Sequence, residues 1–366
     1  MNSPRIDRLL KMSVLIAFST LAGVAAGESD FGDSGNILIA DQFNNRIIEV
    51  DPLSHRIVWQ FGNGSEKPGA HSVVGPNDAE RFWSWTLISG TGTPAGLSPL
   101  LGCSDVVHGC PDNRVFIVDD DGEIVWQIGK PGVSGAGFNE LNTPVHSVLV
   151  TQFPHHPGPH IMITDQGNSR VILVNFEREI VWQYGMTGVP GKGYNQLQNP
   201  NSAELLSDGH VLIADENNNR VIEVNTQKQI IATFTAGGTL NGAAFASRLP
   251  NGNTLITDAN NNRAVEVNKH DSVVWSYVTN TRKGSNPNPQ PTRAIRLANG
   301  NTLISDQFNN VVIEVTRAKK IVFQQGQLNE LGKGFNQLNG PYDAKKIGDF
   351  TGLTPPSDSD GESAGR

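Results

Sequence analysis

The 366-residue chain is short of the features that mark several common classes of protein. Its only two cysteines would make a poor metal site by themselves. It has no cluster of basic residues and a net charge of −8, which argues against binding to nucleic acid or to an anionic membrane surface. No serine nucleophile elbow, Walker loop or His-Glu-x-x-His motif is present, so the sequence leaves open whether the protein is an enzyme.

The one long apolar run lies at the N-terminus. Three basic residues precede an apolar stretch from Met12 to Ala26, which ends in small residues. This is the pattern of a secretory signal peptide, and a run of about 15 residues is short for a membrane span of about 20. We expect residues 1–26 to be removed and the mature protein, with a charge of about −10, to be secreted or periplasmic without inserting into a membrane. Retention as an N-terminal membrane anchor is the alternative.

The two cysteines, Cys103 and Cys110, lie seven positions apart. In an exported protein, we expect them to form a disulfide.

What the chain does have is a phrase of about ten residues that returns again and again. It reads DQFNNRIIEV at 41–50, DQGNSRVILV at 165–174, DENNNRVIEV at 215–224, DANNNRAVEV at 258–267 and DQFNNVVIEV at 306–315. Behind most copies follows a second phrase such as IVWQFG at 57–62 or IVWQYG at 180–185. Self-similarity at a period of about 45 residues in short β-rich units is typical of a propeller.

One copy predicts the structure of the unit. Residues 201–235 divide into four short runs of β-branched and apolar residues, separated by gaps rich in Asn, Asp and Gly. Each unit is therefore predicted to be a four-stranded antiparallel blade, with strands A to D in chain order. A lone sheet of this kind has two unprotected edges, and radial packing of several sheets protects them.

Counting the blades depends on the second one. When residues 113–115 are aligned with residues 45–47, TLISG at 86–90 matches TLISD at 302–306, and Gly90 takes the place of the usual Asp. Residues 91–112 then form an insertion that carries both cysteines. The B strands end at 41, 90, 165, 215, 258 and 306, so we expect six blades.

The first blade lacks its innermost strand, and the missing piece lies at the other end of the chain. Residues 342–347 resemble the A strands of the other blades, as in PNDAERF at 76–82. We predict an all-β, six-bladed β-propeller over residues 36–350, with a ring closed by this C-terminal strand. Residues 351–366 are polar and rich in Pro, Gly and Ser, and we expect a disordered tail there.

The blades and their connections resemble NHL repeats. The resemblance rests on the repeated phrase and on three linkers of the form G-x-G-F/Y-N-x-L-x-x-P at 135–144, 191–200 and 332–341. A weaker similarity, in the Trp-Gln-x-Gly strand ends, is to arylsulfotransferase-like and quinoprotein-like propellers. The resemblance implies a six-bladed propeller whose relatives range from binding modules to lyases, lactonase-like hydrolases and transferases, so the fold does not choose the function.

Repeated polar residues are interpreted as structural. Each Asp that ends a B strand has an Arg five residues later in four copies, as in Asp215 and Arg220, and the two can meet across one tight loop. A single active site does not need four such pairs, so we predict that they staple the blades. The repeated tryptophans at 59, 126, 182 and 275 are predicted to pack between blades.

Positions where the repeat departs from its own pattern are better candidates for function. Alignment of the A strands places six residues at one equivalent position, followed by a position that is always Ala or Ser. The six residues are Asp78, His146, Ser202, Phe245, Arg293 and Asp343. Glu80, Glu204 and Lys345 lie two residues further along and share the same side of their strands.

This irregular ring has two interpretations. As a ligand site at the mouth of the central channel, it offers Arg293 to an anion and His146 to a proton transfer, with Asp78, Ser202, Asp343, Glu80 and Glu204 as further contacts. A divalent cation in the channel is also left open. The alternative is a solvated channel lining whose polar groups satisfy one another.

Two further segments stand out. The insertion at 91–112 rises from the same face as the start of strand A, and a long loop closed by a disulfide often carries a binding role. His155, His156 and His160 cluster in an A–B turn on the opposite face, where an exposed Pro/His-rich turn and adventitious metal binding are the two interpretations.

These observations predict an exported, monomeric binding module that holds a protein or small-molecule ligand at the channel mouth and the insertion-bearing face. The alternative is a propeller enzyme with its site at the same place: a lyase, a lactonase-like hydrolase or an aryl-sulfate transferase. A purely structural extracellular module is the third class.

Overall fold

The computed structural model describes residues 30–356, and these form a six-bladed β-propeller. Each blade is a four-stranded antiparallel sheet whose strands follow one another from the channel outward as A, B, C and D. Apart from single-turn 3₁₀ helices, the described secondary structure is all β, as predicted. The predicted signal peptide, residues 1–26, lies outside the described residues.

The first three blades have the following strands. Blade 1 contains Pro341–Lys346, Ile37–Asp41, Arg46–Val50 and Ile57–Phe61. Blade 2 contains Pro76–Phe82, Trp85–Thr93, Cys110–Val118 and Ile124–Ile128. Blade 3 contains Pro144–Val150, His160–Asp165, Arg170–Val174 and Ile180–Tyr184.

The other three blades repeat the arrangement. Blade 4 contains Pro200–Leu205, Val211–Asp215, Arg220–Val224 and Ile230–Phe234. Blade 5 contains Ala243–Arg248, Thr254–Asp258, Arg263–Val267 and Val273–Val278. Blade 6 contains Pro291–Arg296, Thr302–Asp306, Val311–Val315 and Ile321–Gln325. Five B–C loops contain a 3₁₀ turn, at Gln42–Asn44, Gln166–Asn168, Glu216–Asn218, Ala259–Asn261 and Gln307–Asn309.

The ring is closed as predicted, by a strand from the C-terminal end. Pro341–Lys346 pairs antiparallel with Ile37–Asp41, and Ile39 lies opposite Ala344. Blade 1 is thus built from both ends of the described chain, which completes its four strands and closes the ring. None of the helices in residues 30–356 has the length and apolar character needed to cross a membrane.

The hydrophobic core lies between the blades. Val171 and Trp182 of blade 3 pack in one cluster with Val211 and Ile213 of blade 4, and similar clusters join other neighbouring blades. The repeated tryptophans tighten these contacts, because each indole also donates to the C–D turn of the next blade. Trp126 Nε1, for example, donates to the Phe176 carbonyl at 2.9 Å. The prediction of interblade packing is confirmed for these residues.

The repeated Asp–Arg pairs are also structural, as predicted. In blade 4, Asp215 Oδ2 accepts hydrogen bonds from Arg220 Nε at 2.7 Å and from Asn218 Nδ2 at 2.8 Å. Its other oxygen accepts from the Gln198 backbone N–H, in the linker that enters the blade. One buried carboxylate therefore ties a strand end, a loop and a linker together. The equivalent Asp–Arg distances in blades 1, 3 and 5 are 2.7, 2.8 and 2.7 Å.

Blade 2 reaches the same result with a different residue. Gly90 pairs with Arg114 in the register that Asp41 and Arg46 use in blade 1, which confirms the alignment. The carboxylate is supplied by Asp112 on the neighbouring strand, which bonds to Arg114 and accepts from the Val74 N–H at 2.8 Å. A Cβ on Gly90 would lie 2.7 Å from the Asp112 carboxyl carbon. A glycine is therefore needed at position 90, because a larger side chain would occupy the space of the Asp112 carboxylate.

Part of the segment predicted to be disordered, residues 351–356, is packed against the propeller. Residues 349–355 run across the face opposite the insertion, where Asp349 accepts from the Ala298 N–H of blade 6 at 2.8 Å. Thr354 is buried and donates from its N–H and its hydroxyl to Glu204 Oε2 of blade 4, at 2.7 and 2.5 Å. Composition misled here, because the buried carboxylate of Glu204 needs donors and the tail supplies them. Residues 357–366 lie outside the described chain.

Replacement of Thr354 by Val is expected to lower the free energy of unfolding by about 1–3 kcal/mol, because it leaves buried polar groups unpaired. The hydroxyl donates to Glu204 and accepts from the Leu205 N–H at 2.8 Å, and both bonds would be lost. Urea unfolding measures the change. Thr351→Val, a partly exposed position in the same segment, is the control and should change little.

Candidate functional site

The structure brings the six irregular strand-A residues together in one ring, but not at the mouth of the channel. Asp78, Ser202, Phe245, Arg293 and Asp343 are 0% exposed and His146 is 1% exposed. The predicted position at the mouth is therefore wrong: the ring forms a closed layer inside the channel. A ligand role for these residues stays a prediction, and it would require the layer above them to open.

The ring has a structural role that its sequence variety hides. Strand A is the inner edge of each blade, so the N–H groups on its unpaired side have no neighbouring strand to accept their hydrogen bonds. Four ring residues each accept the N–H of the small residue in the next blade: Asp343 from Ala79 at 3.3 Å, Asp78 from Ser147 at 3.1 Å, His146 Nδ1 from Ala203 at 3.4 Å and Ser202 from Ala246 at 3.3 Å. Different side chains with an acceptor atom can fill this role, which explains why Asp, His and Ser all occur at this position.

Lys345 is the charge centre of this layer. Its buried ammonium donates to Asp78 Oδ1 at 2.6 Å, to Asp343 Oδ2 at 2.8 Å and to the Ala79 carbonyl at 3.0 Å, so all three protons are used. Burial alone would raise the pKa of Asp78, but Lys345, His146 and Arg293 together outweigh burial and lower it to about 2. Burial raises the pKa of Asp343, which shares the same ammonium.

A second group of polar atoms lies next to this centre. Neither oxygen of the buried Glu80 has a hydrogen-bond partner among the described residues. Burial raises the pKa of Glu80 well above its usual range, and the charge of Glu204 adds to the rise. His146 Nε2 lies 3.5 Å from Glu204 Oε1. Nδ1 of this imidazole accepts from the Ala203 N–H, so Nε2 is the nitrogen that faces Glu204.

Arg293, predicted to bind an anion, is instead held by the protein. Its guanidinium donates to Asn201 Oδ1 at 3.1 Å and to the Val145 carbonyl at 3.3 Å, and Nε lies 3.8 Å from Asp343. It also lies over the ring of Tyr342, 5.1 Å from the centroid. These contacts link the buried layer to the residues above it.

The true mouth of the channel is a cleft of about 480 Å³ on the insertion-bearing face. Side-chain amides dominate its walls: Gln42, Asn77, Gln166, Asn201, Gln290 and Gln307. Among the described residues that line it there is no Lys or Arg, one carboxylate, Glu216, and one His, His108. The cleft therefore suits an uncharged polar ligand better than an anion.

Hydrogen bonds order the floor of this mouth. Gln307 donates to Gln42, which donates to Asn77, and both distances are 2.7 Å. On the other side, Asn201 Nδ2 lies 2.8 Å from Glu216 Oε2 and 2.8 Å from the Tyr342 hydroxyl. Burial raises the pKa of Glu216 and that of Tyr342, so these groups keep their protons at a higher pH than usual.

The insertion forms part of the wall and is firmly held. Strands B and C of blade 2 extend into it, and Cys103 and Cys110 form the predicted disulfide. Asn45 of blade 1 donates to the Gly102 carbonyl at 2.8 Å. Gly102 has φ +72° and lies so close to the Phe43 backbone that a Cβ would be 2.4 Å from its carbonyl oxygen. The disulfide fits an oxidising compartment.

The same face carries three exposed aromatic rings that sequence reasoning did not single out. Phe138, Tyr194 and Phe335 occupy the aromatic position of the three G-x-G-F/Y-N-x-L-x-x-P linkers and are 73%, 73% and 71% exposed. The linkers join blades 2 and 3, blades 3 and 4, and blades 6 and 1. Because these aromatic residues are repeated, the sequence favoured a structural role for them. Only their exposure shows that the rings are not packed into the core.

The mouth residues were missed although the sequence carries a signal for them. The residue after each repeated B-strand Asp is Gln in three blades, Glu at 216 and Ala at 259. The residue just before each ring position varies equally, as in Asn77, Asn201 and Tyr342. Both positions break the repeat, and the structure places both at the mouth.

Close groups of three metal-ligand side chains occur outside the channel. In residues 30–356 they are Asp208, His210 and Glu223, and Asp119, Asp120 and Asp121. The channel cation considered from the sequence stays a prediction.

No protein-family model matches the sequence, and no curated protein matches it. The NHL similarity therefore stays a resemblance.

Solved structures share the fold. A streptogramin B lyase structure is 13% identical, has a TM-score of 0.52, and the match covers 87% of each chain. A protein of unknown function from Bacteroides caccae is 16% identical with a TM-score of 0.50, covering 80% of this chain and 93% of that one. A catalytically inactive virginiamycin B lyase from Staphylococcus aureus with quinupristin is 13% identical with a TM-score of 0.48, covering 80% and 85%. At these identities the likeness concerns the propeller fold alone.

Proposed function

We propose that this protein is an exported binding module that holds a saccharide at its insertion-bearing face. The observation that carries the proposal is the exposure of Phe138, Tyr194 and Phe335 at equivalent positions. Flat aromatic rings pack against the apolar C–H faces of sugar rings, and amide side chains bond to their hydroxyls. The face offers both, in three repeated rings and an amide-lined mouth.

The rest of the linker motif has a structural explanation, and the aromatic does not. In the linker of blades 3 and 4, Gln196 accepts from the Gly193 N–H at 3.1 Å and Asn195 accepts from the Gly185 N–H at 2.9 Å. Leu197 is fully buried. The same bonds recur in the other two linkers. The loop therefore keeps its shape without Tyr194, whose ring is free for a ligand.

Replacement of Phe138, Tyr194 and Phe335 by Ala together is expected to weaken saccharide binding at least about tenfold, since three ring contacts are lost. The melting temperature should stay within about 2 °C, because the rings are exposed. Binding is measured by calorimetry on oligosaccharides chosen from a panel of soluble polysaccharides.

Trp83→Ala is the matched control, because Trp83 is 62% exposed on the opposite face and should not affect binding. The proposal fails if the triple variant binds as the native protein does, or if only peptides from a parallel panel bind.

The second candidate is an enzyme at the same mouth, and the pair Glu216 and Tyr342 favours it. Asn201 bonds to both side chains, and their raised pKa values suit proton transfer. A panel of lactones and aryl sulfates tests this candidate. Turnover that disappears in Glu216→Gln but survives the triple aromatic change would replace the binding module with an enzyme.

A further inference from the structure

A hydrogen bond that recurs on the face opposite the mouth is the starting point. In four blades, the residue before strand B bonds to the Glu of strand C. The pairs are Asn36 with Glu49 at 2.7 Å, His210 with Glu223 at 2.7 Å, Asn253 with Glu266 at 2.7 Å and Asn301 with Glu314 at 2.5 Å. In blades 5 and 6, a second Asn two residues earlier also points its amide at the same Glu.

Blade 4 departs from this pattern at both positions. Where blade 6 has Asn299 and Asn301, blade 4 has Asp208 and His210. Asn301 and Asn299 cover a carboxylate with amide donors, whereas Asp208 brings a second carboxylate toward Glu223. Two carboxylates on one imidazole are not what the scaffold requires, since blades 5 and 6 fold without them.

We propose that Asp208, His210 and Glu223 bind one divalent transition-metal ion of the zinc class. Two carboxylates and an imidazole are a ligand set that such ions accept, with the remaining position left to water or to a ligand. The three ligand atoms lie within 4.8 Å of one another.

The geometry needs one small change. Tetrahedral zinc with bonds of about 2.0–2.1 Å places ligand atoms roughly 3.3 Å apart. His210 Nδ1 lies 3.3 Å from Asp208 Oδ2, and 2.7 Å from Glu223 Oε1. The second distance opens when the Nδ1 proton leaves and the metal takes its place.

The neighbouring side chains support the site. Arg248 Nη2 holds Glu223 Oε2 at 2.8 Å, which fixes the carboxylate and leaves Oε1 for the metal. Asp208 and Arg248 both line a cleft of about 900 Å³ between the A–B turns of blades 3 to 5 and the chain at 352–355. The site is therefore reachable from solvent and is separate from the mouth.

The test compares three proteins after treatment with EDTA and dialysis. They are the native chain, Asp208→Asn with His210→Asn, and His155→Asn with His156→Asn. The first double variant installs the residues that blades 5 and 6 already use, so it should fold normally. The second removes histidines from the neighbouring Pro/His-rich turn. Titration with zinc sulfate by calorimetry gives affinity and stoichiometry, and visible absorption after cobalt addition reports tetrahedral ligation.

The native chain should bind one zinc ion, and the Asp208/His210 double variant should bind at least about 100-fold more weakly with unchanged unfolding in urea. The His155/His156 variant should bind as the native chain does. Loss of binding in that second variant instead, equal binding in all three, or no zinc binding at all would each overturn the proposal.

Discussion

Replacement of Lys345 by Met is expected to lower the free energy of unfolding by about 3–5 kcal/mol, the cost of removing one partner from a buried charge network. The ammonium donates to Asp78, Asp343 and the Ala79 carbonyl. Without it, two carboxylates face each other in a layer with no exposure. Lys345 also lies in the strand that closes the ring, so its replacement should weaken the packing of this closing strand directly. Urea unfolding at pH 7 measures the change.

Two further variants separate charge from packing. Lys346→Met alters the adjacent, partly exposed lysine and should change stability little. The triple variant of Lys345→Met, Asp78→Asn and Asp343→Asn removes the uncompensated charges and should recover much of the loss. A loss that persists in the triple variant would show that packing, rather than charge, explains the effect.

The same network predicts a response to acid. The pKa of Asp78 is lowered to about 2 in the folded protein, below its usual 3.8. A carboxyl group of this kind contributes stability above its unfolded pKa and loses it as the pH falls through the folded pKa. The native protein should therefore lose this contribution between about pH 4 and pH 2. Lys345→Met should lack that acid step, because its Asp78 no longer has a lowered pKa.

The fold was predictable because the repeat constrains it at several levels. Alternating apolar residues define the strands, and Asn, Asp and Gly define the turns between them. The similarity of residues 342–347 to other A strands revealed the closure, and Gly90 revealed the insertion. The role of Asp112 could not be predicted in this way. It supplies the carboxylate that Gly90 lacks because strands B and C of blade 2 are extended, and only the three-dimensional pairing shows that extension.

The depth of the inner ring could not be predicted in the same way. A sequence shows which residues are equivalent, but it does not show how wide the channel is. The small residues that follow the ring, such as Ala79 and Ala203, indicated crowding. Because the N–H groups at the strand edge have no access to water, they need acceptors from the protein. Asp78 and His146 are two of these acceptors. The proposed ligand surface therefore lies in the layer above the ring.

The repeat also contains an exception whose consequence is large. Blade 6 reads DQFNNVVIEV, so Val311 stands where the other five blades have Arg. Asp306 Oδ1 has no hydrogen-bond partner among the described residues, and the guanidinium of Arg282 lies 3.9 Å from Oδ2. Burial raises the pKa of Asp306 to about 7, because the hydrogen bond from Asn309 and the attraction of Arg282 do not offset it. The same Asp position therefore holds an Arg in blade 4, whereas in blade 6 its Oδ2 accepts from Asn309 at 2.7 Å and its Oδ1 has no partner among the described residues.

Asp215→Asn and Asp306→Asn should accordingly have opposite outcomes. In blade 4 the change leaves Arg220 uncompensated and places an amide donor against the Arg220 or Gln198 N–H, so we expect a loss of about 3–5 kcal/mol. In blade 6 there is no such pair to break, and at pH 8 the variant should be at least as stable as the native protein. Unfolding in urea on both variants at pH 5 and pH 8 measures the difference.

The pH dependence gives the second variant its signature. A carboxyl group whose folded pKa is raised from 3.8 to about 7 favours the folded state while protonated, and that advantage is lost as the pH rises through 7. The native protein should lose on the order of 4 kcal/mol from this group between pH 4 and pH 8, and Asp306→Asn should lack that loss. Equal pH profiles for the native protein and Asp306→Asn would show that Arg282 satisfies this carboxylate after all. In that case the blade-6 exception would have no energetic consequence.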